Sequence, residues 1–293
     1  MLNVSRFDFG QIRALRRFID ADRRMRERTD QAARVVCIAS GKGGTGKSVV
    51  ATNLAVLRAR RGERVLLVDF DSGLANAHLL LGLAPAHDLG DVLDGSVRAR
   101  DALVEGPEGV HLLSGGVGQP ALCNPTRREL DRLYRALEPL ESDFDLIIVD
   151  HGAGMGYATV TQLAATSAML LVANPEVTSL SDAYAIYKRA LGVNEGIRAG
   201  LIINRAPDER SALGAREKFD AVSQRFLKSR PEFVGWVPQD DAVGRSVNLR
   251  EPACLSQPHA PASRALTALA DWDGLSCART ATAFYRRARR ALR

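Results

Sequence analysis

The chain has 293 residues, of which 46% are hydrophobic and 25% are charged, and such a composition can bury one sizeable core or two small ones. It excludes disordered and collagen-like classes, and no stretch approaches the roughly 18 uninterrupted apolar residues of a membrane-spanning helix. The N-terminus lacks the apolar region of a signal peptide, so we expect a cytoplasmic protein. The four cysteines lie far apart without a C-x-x-C pair, which indicates neither a disulfide framework nor a zinc cluster.

The positive charge is concentrated at the two ends of the chain. Residues 279–293 contain six arginines and no acid, and residues 1–34 contain nine arginines and five acids. Subtracting these contributions of +6 and +4 from the net charge of +6 leaves −4 for residues 35–278. This distribution disfavours a DNA-binding face on the body of the protein and favours terminal segments that contact something anionic.

Strand and helix patterns alternate along the body of the chain. Apolar runs rich in β-branched residues predict strands at residues 35–39, 65–70, 110–113, 146–150, 168–173, 201–204 and 233–237. Helix-compatible segments lie between them, at residues 49–61, 127–140, 179–191 and 211–228. The alternation predicts an α/β fold with a doubly wound, mostly parallel sheet and a ligand site at the carboxyl ends of its strands.

We expect three parts in this chain. They are an N-terminal helical extension (residues 1–34, with a helix at about residues 10–28), a core domain (residues 35–274) and a basic C-terminal helix (residues 275–293).

A glycine-rich loop follows the first predicted strand and precedes a helix. Residues 40–48 read SGKGGTGKS, which satisfies the phosphate-loop pattern G-x-x-x-x-G-K-[ST] in the required context. The backbone N–H groups of such a loop and the helix N-terminus bind phosphate oxygens. We expect Lys47 to contact the β and γ phosphates and Ser48 to bind Mg²⁺. The predicted nucleotide-binding residues of the loop are Gly41, Gly43, Gly44, Thr45, Gly46, Lys47 and Ser48. The alternative is a glycine-rich turn without a ligand.

Two predicted strands end in acidic residues. Asp69 and Asp71 are two residues apart, so both side chains leave the same side of an extended backbone. Asp150 ends another apolar strand, which is typical of a carboxylate that holds Mg²⁺ through water. The alternative for Asp71 is that it caps the following helix.

The loop with its additional Lys42 resembles the deviant Walker A motif of the MinD/ParA ATPases. The resemblance implies a P-loop NTPase fold of the MinD type that binds ATP and Mg²⁺ and forms a homodimer on ATP binding. It further implies that Lys42 reaches the partner subunit's nucleotide, that Asp71 orients the attacking water and that Asp69 supports the Mg²⁺ shell. Lys42, Lys47 and Asp71 are then the predicted catalytic residues, whereas a solvated loop lysine remains the alternative for Lys42.

Two later segments match positions where members of this family hold adenine. Asn204 ends a predicted strand, and its amide can pair with adenine's edge because it offers a donor and an acceptor together. Pro238, Gln239 and Asp240 follow the last strand. Asparagine at a strand end is also common in turns.

The chain resembles the flagellar-number ATPases of the FlhG (FleN) type in four further places. They are DVLDG at residues 91–95 with VEGP at 104–107, DHGAG at 150–154, NPEVTSLSDAYA at 174–185 and PASRA at 261–265. The resemblance implies control of flagellar number or placement through an FlhF-like GTPase and flagellar switch proteins. Residues 10–16 only partly match the GTPase-activating helix of that group, so a plain surface helix is the alternative. A ParA-type DNA-segregation ATPase is the other functional class, although the acidic body disfavours DNA as a partner.

Two interpretations remain for the end of the chain. Apolar residues recur at intervals of three and four from Cys277 onward, among arginines, which is typical of an amphipathic helix in a membrane interface. Two copies in an ATP-bound dimer would then bind an anionic inner membrane surface much more tightly than one copy. The alternatives are a helix docked on the core and a solvated tail. We do not assign a catalytic role to His151, which follows Asp150; packing or hydrogen bonding explains it as well.

Overall fold

An eight-stranded sheet organises the protein. The computed structural model describes residues 32–71, 75–116, 122, 124–276 and 283–292. The strands lie in the order β3-β4-β2-β5-β1-β6-β7-β8, and each pairs in parallel with its neighbours except β3, which is antiparallel to β4. The strands are β1 (Arg34–Ala39), β2 (Val65–Phe70), β3 (Val104–Glu105), β4 (His111–Leu113), β5 (Leu146–His151), β6 (Ala168–Ala173), β7 (Arg198–Ala206) and β8 (Glu232–Pro238). The predicted doubly wound, mostly parallel sheet is confirmed.

Helices cover both faces of this sheet. They are α1 (Lys47–Arg60), α2 (Ala77–Leu80), α3 (Leu89–Asp94), α4 (Arg127–Leu137), α5 (Tyr157–Ala165), α6 (Val177–Val193), α7 (Glu209–Leu227), α8 (Asp241–Leu249), α9 (Ala253–Ser256), α10 (Pro261–Leu269) and α11 (Phe284–Arg290). None of the helices in the described residues is both long and apolar enough to span a bilayer.

Alternate residues of each central strand enter two separate hydrophobic layers. In β1, Val35 and Cys37 pack with helices α3 to α7 and α11, whereas Val36 and Ile38 pack with α1 and α10. A strand buried on both faces has no polar alternation, which is why the apolar runs of the sequence predicted seven of these strands. The two-residue strand β3 was missed because its length leaves no pattern.

The C-terminal helix α11 is docked on the core. Phe284, Tyr285 and Ala288 are at most 1% exposed, and the helix lies against α4 and α5. Of the interpretations that the sequence left open, the docked helix is the one present in this conformation. The large apolar residues of this segment that the structure describes, Phe284, Tyr285 and Leu292, are covered by protein here, so they cannot contact lipid without leaving the core. Residues 277–282 and 293, and the predicted N-terminal helix, lie outside the described residues.

Acidic side chains of the core hold α11 in place. The buried carboxylate of Glu141 accepts hydrogen bonds from the backbone N–H groups of Phe284 and Tyr285, at 2.7 and 2.8 Å. Burial raises the pKa of Glu141 to about 7, an effect that these two N–H groups oppose. At the exposed side of the helix, Arg289 pairs with Asp131 at 2.9 Å. The first N–H groups of a helix lack partners within the helix, and in α11 Glu141, from a distant part of the chain, accepts two of them.

Candidate functional site

The carboxyl ends of β1, β2, β5 and β7 meet at one edge of the sheet, where the predicted phosphate loop lies between β1 and α1. Gly44 and Gly46 adopt φ angles of 79° and 84°, which glycine tolerates and other residues rarely adopt. Gly46 also lies directly against the Asn204 side chain, and Gly41 lies against the backbone of Asp182. A side chain at residue 41 would overlap the Asp182 backbone, so packing requires Gly41; at residue 46 it would displace the Asn204 amide, and the positive φ adds to the requirement for glycine.

A buried ion pair lies under the loop. Lys47 Nζ donates to Asp150 Oδ1 at 2.6 Å, and the side chains are only 7% and 0% exposed. The pair joins the first turn of α1 to the end of β5. The other carboxylate oxygen, Asp150 Oδ2, is buried without a hydrogen-bond partner within the described residues. An unpaired buried carboxylate oxygen is costly unless a water or ion binds it, so the donor set fits the Mg²⁺-bound water expected at Asp150.

The two acids at the end of β2 differ in their surroundings. Asp69 is buried, and its carboxylate oxygens accept hydrogen bonds from the backbone N–H groups of Asp71 at 2.9 Å and Ala77 at 3.1 Å. Burial, followed by the nearby charge of Asp150, raises the pKa of Asp69 to about 7. Asp69 therefore links the residue after β2 to the first residue of α2. Asp71 is half-buried. Gly152, which follows β5, lies next to Asp71. A Cβ added at Gly152 would be 3.6 Å from the Asp71 carboxylate, in van der Waals contact.

His151 is buried beside this cluster. Burial, and then the charge of Lys47, lower the pKa of His151 to about 3. The imidazole is therefore neutral at physiological pH. Its Nε2 atom has no hydrogen-bond partner in the part of the chain that the structure describes.

A cavity of about 330 Å³ adjoins the phosphate loop, a volume within the range of small-molecule sites. The four residues predicted to hold adenine all line it: Asn204, Pro238, Gln239 and Asp240. Asn204 donates from Nδ2 to the carbonyl oxygen of Thr45 at 2.6 Å. Asp240 caps α8 through Ala242 N–H at 2.8 Å and accepts a second bond from Ala262 N–H at 3.1 Å. Asn204 thus connects the cavity to the phosphate loop, and Asp240 connects the starts of α8 and α10.

Lys42 lies at the outer side of the loop. Its Nζ atom is 3.4 Å from the Thr178 hydroxyl, near the start of α6. Lys42 thus contacts residues 174–179 (NPEVTS), part of the stretch that resembles the FlhG type.

Arg205 also lines the cavity. It was not predicted as a site residue, because nothing in the sequence shows its backbone conformation.

A glycine-rich loop between a central parallel strand and a helix, with a buried lysine beside a strand-terminal aspartate, defines a P-loop nucleotide-binding protein. The family model of the CobQ/CobB/MinD/ParA nucleotide binding domain matches residues 36–253. The chain belongs to this family, and the predicted resemblance to MinD/ParA proteins is confirmed. P-loop ATPases make up this family, and ATP hydrolysis is their general activity.

Individual relatives cover most of the chain. The antiactivator FleN of Pseudomonas aeruginosa is 35% identical over 237 residues, which are 80% of this chain and 84% of FleN. The septum site-determining protein MinD of Escherichia coli is 28% identical, over 76% of this chain and 84% of MinD. The structure is also similar to MinD of Pyrococcus horikoshii complexed with Mg-ADP, with a TM-score of 0.69 and 27% identity over 81% of this chain and 94% of that one.

Replacing Lys47 should remove nucleotide binding. In Lys47→Ala we expect ATP affinity to fall at least about 100-fold, because charge-assisted bonds to phosphate are lost. Calorimetry with Mg-ATP measures this, with Lys188→Ala as a control, since Lys188 is exposed on α6. Circular dichroism checks that the variant folds, because Asp150 loses its partner. Retained affinity in folded protein would contradict the assignment of the phosphate loop.

Proposed function

We propose that the protein is an ATP-dependent switch of the FleN type, in which ATP and Mg²⁺ close a homodimer and hydrolysis reopens it. The observation that carries the proposal is the phosphate loop with Lys42 and Lys47 in a chain 35% identical to FleN. The nucleotide would lie with its phosphates on residues 41–48 and its base in the cavity next to Asn204. Ser48, Asp69 and Asp150 would hold Mg²⁺ directly or through water.

The residues of the site have separate roles in the proposed hydrolysis. Bound Mg²⁺ supplies positive charge that offsets the charge developing on the transferred phosphoryl group. Lys47 neutralises the β and γ phosphates, and Lys42 does the same for the partner subunit's nucleotide. Asp71 holds the attacking water in line, which is sufficient because phosphoryl transfer depends mainly on positioning and charge.

Removing the Asp71 carboxylate should separate binding from hydrolysis. We expect Asp71→Ala to bind ATP and to hydrolyse it about 100-fold more slowly, since the water loses its orienting group. The variant should accumulate as a dimer with ATP, measured by light scattering together with phosphate release. Asp271→Ala, at an exposed acid outside the site, is the control. Wild-type turnover in Asp71→Ala would exclude Asp71 from the mechanism.

Membrane association, if it involves the C-terminal helix, requires α11 to leave the core. In the docked state the apolar residues of Phe284–Arg290 are covered, and Arg286, Arg290 and the following Ala291 are exposed. We propose that the ATP-bound dimer exposes α11, so that two copies bind an anionic membrane together and raise the effective concentration of each other. This makes the inner membrane surface the site of the ATP-bound form.

Weakening the Glu141 contact should favour release of α11. In Glu141→Ala two buried backbone N–H groups lose their acceptor, which costs about 1–3 kcal/mol of docking free energy. We expect faster hydrogen exchange at residues 284–292 and, with ADP, more sedimentation with phosphatidylglycerol vesicles. Glu217→Ala, at an exposed glutamate of α7, should behave as wild type. Faster exchange without added vesicle binding would show that α11 is not the membrane contact.

The biological output that we propose is control of flagellar number or placement, acting with an FlhF-like GTPase and flagellar switch proteins. The support is the similarity to FleN over 80% of the chain.

Complementation tests this output in a cell. Expression of the wild-type chain in Pseudomonas aeruginosa lacking FleN should restore the parental number of flagella, counted by electron microscopy. Lys47→Ala should not restore it. If neither protein restores it while both are expressed and wild type hydrolyses ATP, the ATPase stands and the flagellar role is wrong.

A further inference from the structure

Arg205 lines the cavity beside the phosphate loop. Its side chain is exposed, yet its guanidinium makes two directed hydrogen bonds. Nε donates to Gln239 Oε1 at 3.1 Å, and an Nη donates to the carbonyl oxygen of Gly44 at 3.4 Å. Gln239, Gly44 and Arg205 itself all line the cavity. Arg205 therefore links the phosphate loop to the segment after β8 at the cavity where the base of a nucleotide would lie.

The backbone at Arg205 is held in an unfavourable conformation. Its φ is 55°, in the left-handed region that residues other than glycine rarely occupy. Three other non-glycine residues in the described part of the chain share this feature, and they lie in a short turn (Glu108) or at the ends of α7 (Lys228) and α8 (Arg250). Arg205 alone among these four lies inside a strand, β7.

An irregularity in strand pairing directs the side chain toward the cavity. The pairing of β7 with β8 shifts register between Ile203 and Ala206, so Arg205 lies in the irregular segment. Such irregularities next to binding sites commonly redirect a side chain. Backbone strain persists only where the surroundings enforce it, and it occurs preferentially at ligand-binding positions.

We propose that Arg205 is a clasp that retains the adenine nucleotide, its guanidinium lying over the base and ribose while it bridges Gly44 and Gln239. This inference rests on the proposed nucleotide-binding function. A guanidinium suits the position because it is planar, can stack on an aromatic base, and has several N–H donors. The nucleotide leaves only after the clasp opens, so Arg205 sets the rate of nucleotide release.

A structural role for Arg205 leads to a different expectation. Exposed polar contacts contribute little to folding stability, and glycine would adopt the observed φ without strain. If Arg205 served only the fold, Arg205→Gly would change the melting temperature and leave nucleotide release unaltered. A clasp requires the opposite result, namely faster release from a protein at least as stable as wild type.

Dissociation of radiolabelled ADP, chased with excess unlabelled ADP and followed by filter binding, tests the clasp without a fluorophore on the ribose. We expect release to be about five- to tenfold faster in Arg205→Gly, with a melting temperature no lower than that of wild type. Gln239→Ala removes one of the two anchors and should release ADP at an intermediate rate. Arg210→Ala, at an exposed arginine of α7 outside the cavity lining, should match wild type.

The possible outcomes separate the two proposals. If wild-type protein retains no ADP, the proposed nucleotide-binding function fails. If wild type retains ADP and Arg205→Gly releases it at the same rate, only the clasp is wrong. Faster release accompanied by a lower melting temperature of the nucleotide-free variant also overturns the clasp, because Arg205 would then act through the fold.

Discussion

The buried ion pair between Lys47 and Asp150 is the contact on which the site depends. Removing two charges from water is expensive, and a pair this deeply buried is stable only if its geometry is good and the remaining polar atoms find partners. The 2.6 Å contact meets the first condition, while Asp150 Oδ2 leaves the second unmet within the described residues. The pair therefore fixes the position of Lys47 before a nucleotide binds. It leaves Asp150 Oδ2 available to accept a hydrogen bond from water bound to Mg²⁺ in the proposed nucleotide complex.

The sheet topology explains why this pair can form. β1 lies at the centre of the sheet between β5 and β6, so the loop after β1 is adjacent to the end of β5, which carries Asp150. The register pairs Asp69 with Asp150 across β2 and β5. Residues 103 positions apart in sequence, Lys47 and Asp150, are thus brought together by strand order alone. The cavity then forms where β7 and β8 extend the same edge.

The sequence predicts those features that local pattern determines. Buried parallel strands produce apolar runs, and the phosphate loop has a fixed spacing, so both are recognisable from the order of residues alone. The docking of α11 on the core cannot be recognised in this way, because the same apolar spacing suits a membrane surface and a protein groove. What distinguishes the two is the Glu141 carboxylate, 143 residues before Phe284. Likewise, the bond from Asn204 to Thr45 and the strained φ of Arg205 depend on three-dimensional neighbours that no local pattern reports.

The docked state of α11 has a consequence for how sharply the protein would respond to ATP. If α11 is the membrane contact, as proposed, its docking on the core lowers the apparent membrane affinity of a single chain in proportion to the fraction of undocked molecules. In the proposed ATP-bound dimer both helices are exposed, so this penalty is removed and bivalent attachment adds to the affinity. Under the proposed membrane association, docking of α11 would therefore keep monomers off the lipid, and the amount of bound protein would follow the fraction of chains that are dimeric.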